Sequence, residues 1–279
     1  MEILKTELNI GLEAPVRILQ VSDSHMSACD ERDSAKALEK SAKKTRGFLD
    51  LSGGIKQEDN FLEALKLSED CDALVFTGDV IDCPSDANIE FLESTLEGRK
   101  YLYTFGNHDY YTYDSDCGKA EDRDTFLDQF LRFIPGDPTM DSMEVGGLNL
   151  VALDDSLAQF SEMQLAFLKA ELERGLPTLL FLHLPFYSDS FADESWKWWE
   201  SVMSVGAPLE VLEKYGEDDP KMKASETTKA VMKLIEESSC VKAIFASHLH
   251  FKDETEVLGK PQFINEPCFM GSVREIIVK

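Results

Sequence analysis

The sequence predicts a layered α/β protein, and three observations predict it. Short β-branched and aromatic runs recur along the 279 residues, stretches of helical period separate them, and polar residues able to bind or catalyse follow the runs directly. A hydrophobic content of 43%, with 10% aromatics, is ample for a packed core.

Taken in order, VRILQV (16–21) reads as a strand and leads into Ser22-Asp23-Ser24-His25. The charged stretch 31–49 and the segment 57–68 read as helices, with the GGI turn at 53–55 between them. ALVFT (73–77) is a strand that runs into Gly78-Asp79-Val80-Ile81-Asp82, followed by a helix over 88–96. KYLYTF (100–105) leads into Gly106-Asn107-His108-Asp109, and a helix follows at 123–133. LNLVAL (148–153) ends in Asp154-Asp155, and Ser161 with Gln164 forms a capping box opening a helix over 161–173, stopped by Gly175 and Pro177. TLLFLH (178–183) ends in His183; a helix over 225–237 precedes VKAIFAS (241–247), which leads into His248-Leu249-His250. PQFINE (261–266) and VREIIV (273–278) alternate like a closing antiparallel run, and GEDDP (216–220) reads as a surface loop. No repeat or low-complexity linker interrupts the chain, so a single domain over 1–279 is expected, with a lid insertion at about 186–225.

Charge narrows the function. The net charge of -25, from 53 acidic and 28 basic residues, opposes general binding to duplex nucleic acid or to an anionic membrane, both of which need a basic face. No apolar run approaches the length of a membrane span, and MEILKTELNI mixes charge into the start of the chain, so a soluble, unexported, cytoplasmic protein is expected. The six cysteines show no CxxC pair and no framework spacing, which predicts reduced, mostly buried thiols.

In an open α/β sheet, ligands gather beyond the carboxyl ends of the strands. All five histidines of this chain stand at such ends: His25, His108, His183, His248 and His250. Singly, each has an ordinary explanation, as do Asp79 and Asn107 as turn formers. Together they point to a metal centre. Asp23 and His25 are two apart, as are His248 and His250, so on extended chain each pair faces one side and serves one ion or is divided between two. Carboxylate, imidazole and amide donors suit divalent manganese, iron, zinc or cobalt. Seven candidate ligands exceed what one tetrahedral ion uses; two ions, roughly 3.5–4 Å apart and sharing a carboxylate, account for them.

In this order, SDSHM, GDVID, FGNHD, FLHLP and ASHLHF resemble the five motifs of the calcineurin-like metallophosphoesterases, D-x-H, G-D-x-x-D, G-N-H-D/E, a lone His and G-H-x-H. The resemblance implies a four-layer αββα sandwich of two mixed sheets flanked by helices, the metallo-dependent phosphatase fold, with a dinuclear site at one edge. It implies that Asp23, His25 and His250 hold the first metal, that Asn107, His183 and His248 hold the second, and that Asp79 bridges them. It gives His108 the place of the non-ligand histidine near the leaving group and Asp82 that of the carboxylate orienting it. The implied reaction is hydrolysis of a small or nucleotide-like phosphodiester or phosphomonoester, by in-line attack of a metal-bridging hydroxide. Two divalent ions offset by Asp23, Asp79 and hydroxide leave a local charge of about +1, enough to draw a phosphate into an acidic protein.

There are departures. Ser247 stands where the family usually has glycine, adding a side chain beside the site, and an altered fit is expected. Cys83 follows Asp82 where the protein-phosphatase branch has arginine, which disfavours a dedicated phosphoprotein phosphatase. Three stretches stand ready to wall the pocket: YYTYDSD (110–116), Trp196, Trp198 and Trp199 in WKWW, and Asp154 with Asp155, although ordinary packing or a turn explains each as well; the basic residues of 30–50 either place cations near the entrance or form a solvated helix face. The role of Asp109 is left open by the sequence. Two other readings stand beside the phosphoesterase: a non-catalytic metal-binding scaffold of the same fold, and a nuclease acting on short single-stranded ends.

Overall fold

The computed structural model describes residues 1–114, 120–217 and 222–279. Ser115 and Asp116 of the YYTYDSD stretch, Cys117 and residues 218–220 of the GEDDP loop lie outside the described residues. In chain order the strands are β1 (Glu2–Leu8), β2 (Val16–Val21), β3 (Ala73–Thr77), β4 (Leu102–Thr104), β5 (Met140–Val145), β6 (Leu148–Leu153), β7 (Thr178–Phe181), β8 (Val241–Ala246), β9 (Asp253–Val257), β10 (Lys260–Ile264) and β11 (Ser272–Val278). The helices are α1 (Ala35–Leu51), α2 (Gln57–Leu67), α3 (Asp86–Leu96), α4 (Ala120–Phe130), α5 (Glu162–Glu173), α6 (Asp189–Trp199), α7 (Leu209–Tyr215) and α8 (Glu226–Glu237).

The strands form two mixed sheets, in the spatial orders β1-β11-β2-β3-β4 and β5-β6-β7-β8-β10-β9. Period-two alternation makes four layers of them. Val16, Ile18, Val75 and Leu102 of the first sheet meet Leu150, Leu179, Phe181 and Phe245 of the second in a shared interior. The opposite faces are covered by helices: Leu19, Leu74 and Phe76 pack on Phe61, Leu65 and Leu92 of α2 and α3. Val151, Leu180 and Ile244 pack on Leu168, Val231 and Ile235 of α5 and α8. This is the αββα sandwich expected from the sequence, and β2, β3 and β6 have the predicted bounds.

The differences are at the margins. β4 is shorter than the predicted 100–105, and β7 and β8 end at Phe181 and Ala246, although Ser247 N still donates to the His183 carbonyl at 2.9 Å. The last strands are not one antiparallel run. β10 pairs parallel with β8 and antiparallel with β9, while β11 is antiparallel to β2 and parallel to β1. The sequence reading missed β1, β5, β9, α6 and α7, the last two lying in the 186–225 segment. The capping box is present, with Ser161 and Gln164 each accepting from the other's backbone N–H.

One buried cation ties the two sheets together. Arg274 on β11 is 1% exposed; it donates to Asn265 Oδ1 at 2.7 Å, to Thr6 Oγ1 at 2.6 Å and to the Ile264 carbonyl at 3.2 Å. Two glycines fix the approach of the loops after β3 and β4. A Cβ on Gly78, whose φ is +81°, would lie 2.4 Å from Gly106 N, and one on Gly106 would lie 2.1 Å from Asp79 Oδ1. Gly106 is not itself in a left-handed conformation, so contact with Asp79 rather than a sharp turn requires glycine here.

Replacing Arg274 with Met should therefore cost about 2–4 kcal/mol in urea unfolding, because its acceptors are left buried and unpaired. Gly106→Ala should destabilise by at least about 2 kcal/mol in the same measurement, since the atoms it meets are Asp79 itself rather than a yielding side chain.

Candidate metal centre

The nine residues singled out from the sequence as ligands or catalytic groups converge at the carboxyl edge of the two sheets. Asp23, His25 and His250 bring one donor atom each within 4.8 Å of one another, as do Asp79, His183 and His248. Asn107 Oδ1 completes the second group, 3.2 Å from His183 Nε2. Asp79 lies between the groups: its Oδ2 is 3.6 Å from His25 Nε2 and 3.3 Å from His183 Nε2. Its other oxygen accepts from the His108 backbone N–H at 2.7 Å, so the carboxylate is held between the two groups from behind.

The local backbone is unusual. Asp23, His25, Asp79, His248 and His250 all have φ between 49° and 72°. They lie past the strand ends, in the left-handed region that Asn, Asp and His enter more readily than other non-glycine residues. The pairs therefore do not lie on extended chain, and the alternation that the sequence reading gave as their reason is absent. The pairs also behave differently, Asp23 and His25 joining one group while His248 and His250 are divided between two.

Hydrogen bonds behind the rings set their tautomers. His183 Nδ1 is 2.8 Å from the Thr77 carbonyl and His25 Nδ1 is 2.9 Å from Asp82 Oδ1, so each Nδ1–H donates outward. Both Nε2 atoms then face inward, toward His248 Nδ1 at 3.0 Å and His250 Nε2 at 3.0 Å. The buried Asp23 Oδ1 has no hydrogen-bond donor of its own. Lone pairs and carboxylates facing one another call for a cation, and the residues present fit divalent ions.

The electrostatics agree. Burial alone would raise the Asp79 carboxyl, but His183 and His108 outweigh it and hold Asp79 well below its ordinary range. Burial opposes charge on His183, yet Asp79 and Asp23 lift it to about 10. His248, equally buried and next to charged His183, is pushed down to about 3. Burial likewise lowers His25, so the carboxylates stay ionised while the imidazoles divide, His183 raised and His25 and His248 lowered.

His108 differs from the others. Its side chain keeps 26% exposure and its Nδ1 lies 2.8 Å from Asp82 Oδ1, a close ion-pair contact without an aligned hydrogen bond. Burial lowers this imidazole, but Asp82 and Asp79 together raise it above its ordinary value. Asp82 is itself buried and also accepts from Tyr113 Oη at 2.6 Å.

Asp109, which the sequence left open, has a structural answer. It accepts from Gly106 N at 2.8 Å, Asp79 N at 3.1 Å and Ile81 N at 3.2 Å, tying the two ligand-bearing loops together. Asp155 plays the same part elsewhere, accepting from His183 N and Leu184 N at 2.9 and 3.1 Å. Asp154 instead pairs with Arg123. Ser247 Oγ donates to the Thr77 carbonyl at 2.7 Å, so the hydroxyl supports the same backbone oxygen as His183. Sequence reasoning missed Phe48, stacked on His25 at 5.2 Å, and Phe269, 5.3 Å from His250; an aromatic carries no ligand signal.

The three tryptophans separate. Trp196 stacks on Tyr215 and anchors α6 to α7, Trp198 is exposed, and Trp199 donates to the Leu249 carbonyl with its ring edge-on to His250 at 5.1 Å. Of the tyrosines, Tyr110 is buried against Ser156, Tyr113 against Asp82, and Tyr111 tilts against His108 at 5.6 Å. Among the described residues no helix is long and apolar enough to cross a membrane. The five described cysteines are free thiols; Cys83 and Cys268 are buried and the other three half-buried.

Comparison with known proteins agrees with this geometry. A dimetal phosphatase from Danio rerio has a similar structure, with TM-score 0.51 and 13% identity over 91% of this chain and 88% of that one. At such identity the likeness speaks of fold alone. A calcineurin-like phosphoesterase from Bacillus subtilis superposes with TM-score 0.42 and 12% identity, over 91% of this chain and 82% of that one. A purple acid phosphatase from yellow lupin, Lupinus luteus, gives TM-score 0.47 and 14% identity, with 92% of this chain covering 44% of that one. No curated protein sequence matches. The family model described as calcineurin-like phosphoesterase matches residues 16–252, which include every candidate ligand, and the chain belongs to that family.

Proposed function

We infer that the protein is a phosphoesterase that hydrolyses a small or nucleotide-like phosphomonoester or phosphodiester at a centre of two divalent ions. The observation that carries this reading is Asp79 Oδ2, set between two groups of inward-facing donors while His108 stands beside them as a raised, partly exposed imidazole. Asp23, His25 and His250 would hold one ion, Asn107, His183 and His248 the other, and Asp79 both. Manganese, iron, zinc and cobalt all fit this donor set. Bound there, divalent ions supply charge for the phosphoryl oxygens and ionise water at neutral pH.

The chain's own residues do the rest. His108, which Asp82 and Asp79 raise against the effect of burial, would give its Nε2 proton to the leaving oxygen as the P–O ester bond breaks. Asp82 holds the ring from the Nδ1 side, and Tyr113 holds Asp82. Because His108 N donates to Asp79 Oδ1, the acid and the bridging carboxylate keep a fixed separation. The segment over 186–225 acts as a lid in this reading, bringing Trp199 against His250 at the rim. A net charge of -25 favours a small substrate over duplex nucleic acid, and free thiols suit a reducing, cytoplasmic setting.

Purified protein supplied with manganese should hydrolyse 4-nitrophenyl phosphate or bis(4-nitrophenyl) phosphate and stop when chelator removes the metal. Elemental analysis that finds bound metal without turnover of either ester would favour the non-catalytic scaffold instead. His108→Gln should lower kcat by roughly a hundredfold to ten-thousandfold with metal content unchanged. Asp79→Asn should lose both activity and metal, as measured by the same elemental analysis.

A further inference from the structure

Two thiols meet beside the centre although 54 positions separate them in the chain. Cys29 Sγ, on the loop after β2, lies 3.9 Å from Cys83 Sγ, on the residue directly after Asp82. Three other thiols are placed differently: Cys71 and Cys240 donate to the Leu67 and Leu172 carbonyls at 3.6 and 3.7 Å, and Cys268 is fully buried. Cys29 and Cys83 both line a cavity of about 180 Å³ with Asp33, Pro84, Tyr113 and Asp114. A water takes up roughly 30 Å³ in the liquid, so a peroxide has room to reach the sulfurs.

The pair is asymmetric. Cys29 is half-buried whereas Cys83 is 3% exposed. The contact with Cys83 lowers the Cys29 thiol, outweighing burial and Asp33, while the same contact and burial raise Cys83. Thiolate character therefore collects on the more accessible sulfur, which suits it to attack, and leaves its neighbour as the resolving thiol.

The pair also adjoins the groups that orient the centre. Asp82 faces His25 Nδ1 at 2.9 Å and His108 Nδ1 at 2.8 Å, and Tyr113, which donates to Asp82, packs against Cys83 in one small cluster. Ser85 Oγ donates to the Ala28 carbonyl and Asn88 Nδ2 to the Met26 carbonyl, so the two cysteine-bearing loops are pinned together at the start of α3. A disulfide needs its sulfurs about 2.0 Å apart. Closing the present gap draws Cys83, and Asp82 bonded to it, toward the Cys29 loop.

We propose that Cys29 and Cys83 are a reversible redox pair, closing to a disulfide when a peroxide enters their cavity and displacing Asp82 from the two histidines it holds. The Cys29 thiolate, its proton released to solvent, attacks one peroxide oxygen; the O–O bond breaks, hydroxide leaves and a sulfenic acid remains. That hydroxide takes the Cys83 proton and becomes water. The Cys83 thiolate then attacks the Cys29 sulfur, the S–S bond forming as the S–O bond breaks, and the second hydroxide regains a proton from solvent. Two thiols are oxidised by two electrons, and one peroxide is reduced to two waters. Such a transient bond is compatible with a reducing compartment, where thiols restore the pair.

Manganese-equilibrated protein treated with hydrogen peroxide and then catalase should lose two hydrogens by intact mass, with Cys29 and Cys83 joined in the peptide map, and dithiothreitol should reverse this. With the disulfide in place, calorimetric manganese affinity, turnover of 4-nitrophenyl phosphate, or both should fall by roughly tenfold to a hundredfold and return on reduction. Cys29→Ser should match wild type before oxidation and show no reversible loss after it, and Cys83→Ser should likewise form no bond. A map without the Cys29–Cys83 bond overturns the proposal, as does a bond that leaves manganese affinity and turnover unchanged. Only the turnover arm rests on the phosphoesterase reading: reversible loss of manganese affinity in a protein that hydrolyses no ester keeps the redox pair and overturns hydrolysis instead.

Discussion

The centre depends on one constraint: the two sheets must stack so that the carboxyl ends of β2, β3 and β4 share an edge with those of β7 and β8. Thr77, the last residue of β3, is where this is enforced. Its carbonyl accepts from His183 and Ser247, and its hydroxyl accepts from Gln20, whose amide also reaches the Ala246 carbonyl on the other sheet. These polar contacts lie at the end of an otherwise apolar interior, where an unpaired group would be costly. A sideways slip of either sheet would leave several of them unpaired and would separate Asp79 from His183. Stacking and ligand geometry are thus parts of one arrangement.

Within that frame the sign of the local field changes over short distances. Buried Asp23, Asp79 and Asp82 make the centre a sink for positive charge. A short step away, Lys44 of α1 reaches Asp82 at 3.4 Å and Lys40 donates to Tyr111. In a protein that is acidic overall, any positive charge at such a centre has to be supplied locally.

Much of this was legible from the chain. Inner strands are largely buried and rich in apolar residues, so β2, β3 and β6 could be bounded directly, and the polar residues just past β2 and β3 belong to the gathered groups. β1, β5 and β9 were not legible because all three are sheet edges: EILKTEL and DETEV carry charge that protects an unpaired edge and hides the period. α6 was missed for another reason, as WKWW drew the eye to its aromatics rather than to its helical spacing. Asp109 and Asp155 were beyond reach, since their partners are backbone amides and a backbone amide leaves no trace in sequence. Phe48 and Phe269 join the centre from distant elements, and only the fold brings them there.

The left-handed backbone at Asp23, His25, Asp79, His248 and His250 bears on how such a centre can change through descent. Each position asks two things of its residue: a donor atom, and tolerance of a conformation closed to most side chains. Aspartate, asparagine and histidine meet both demands. Glutamate, glutamine and cysteine offer donors but accept the backbone less readily. The alphabet open to drift at these five sites is therefore narrower than coordination chemistry alone would allow. Residues around these five positions that have ordinary backbone face no such double demand.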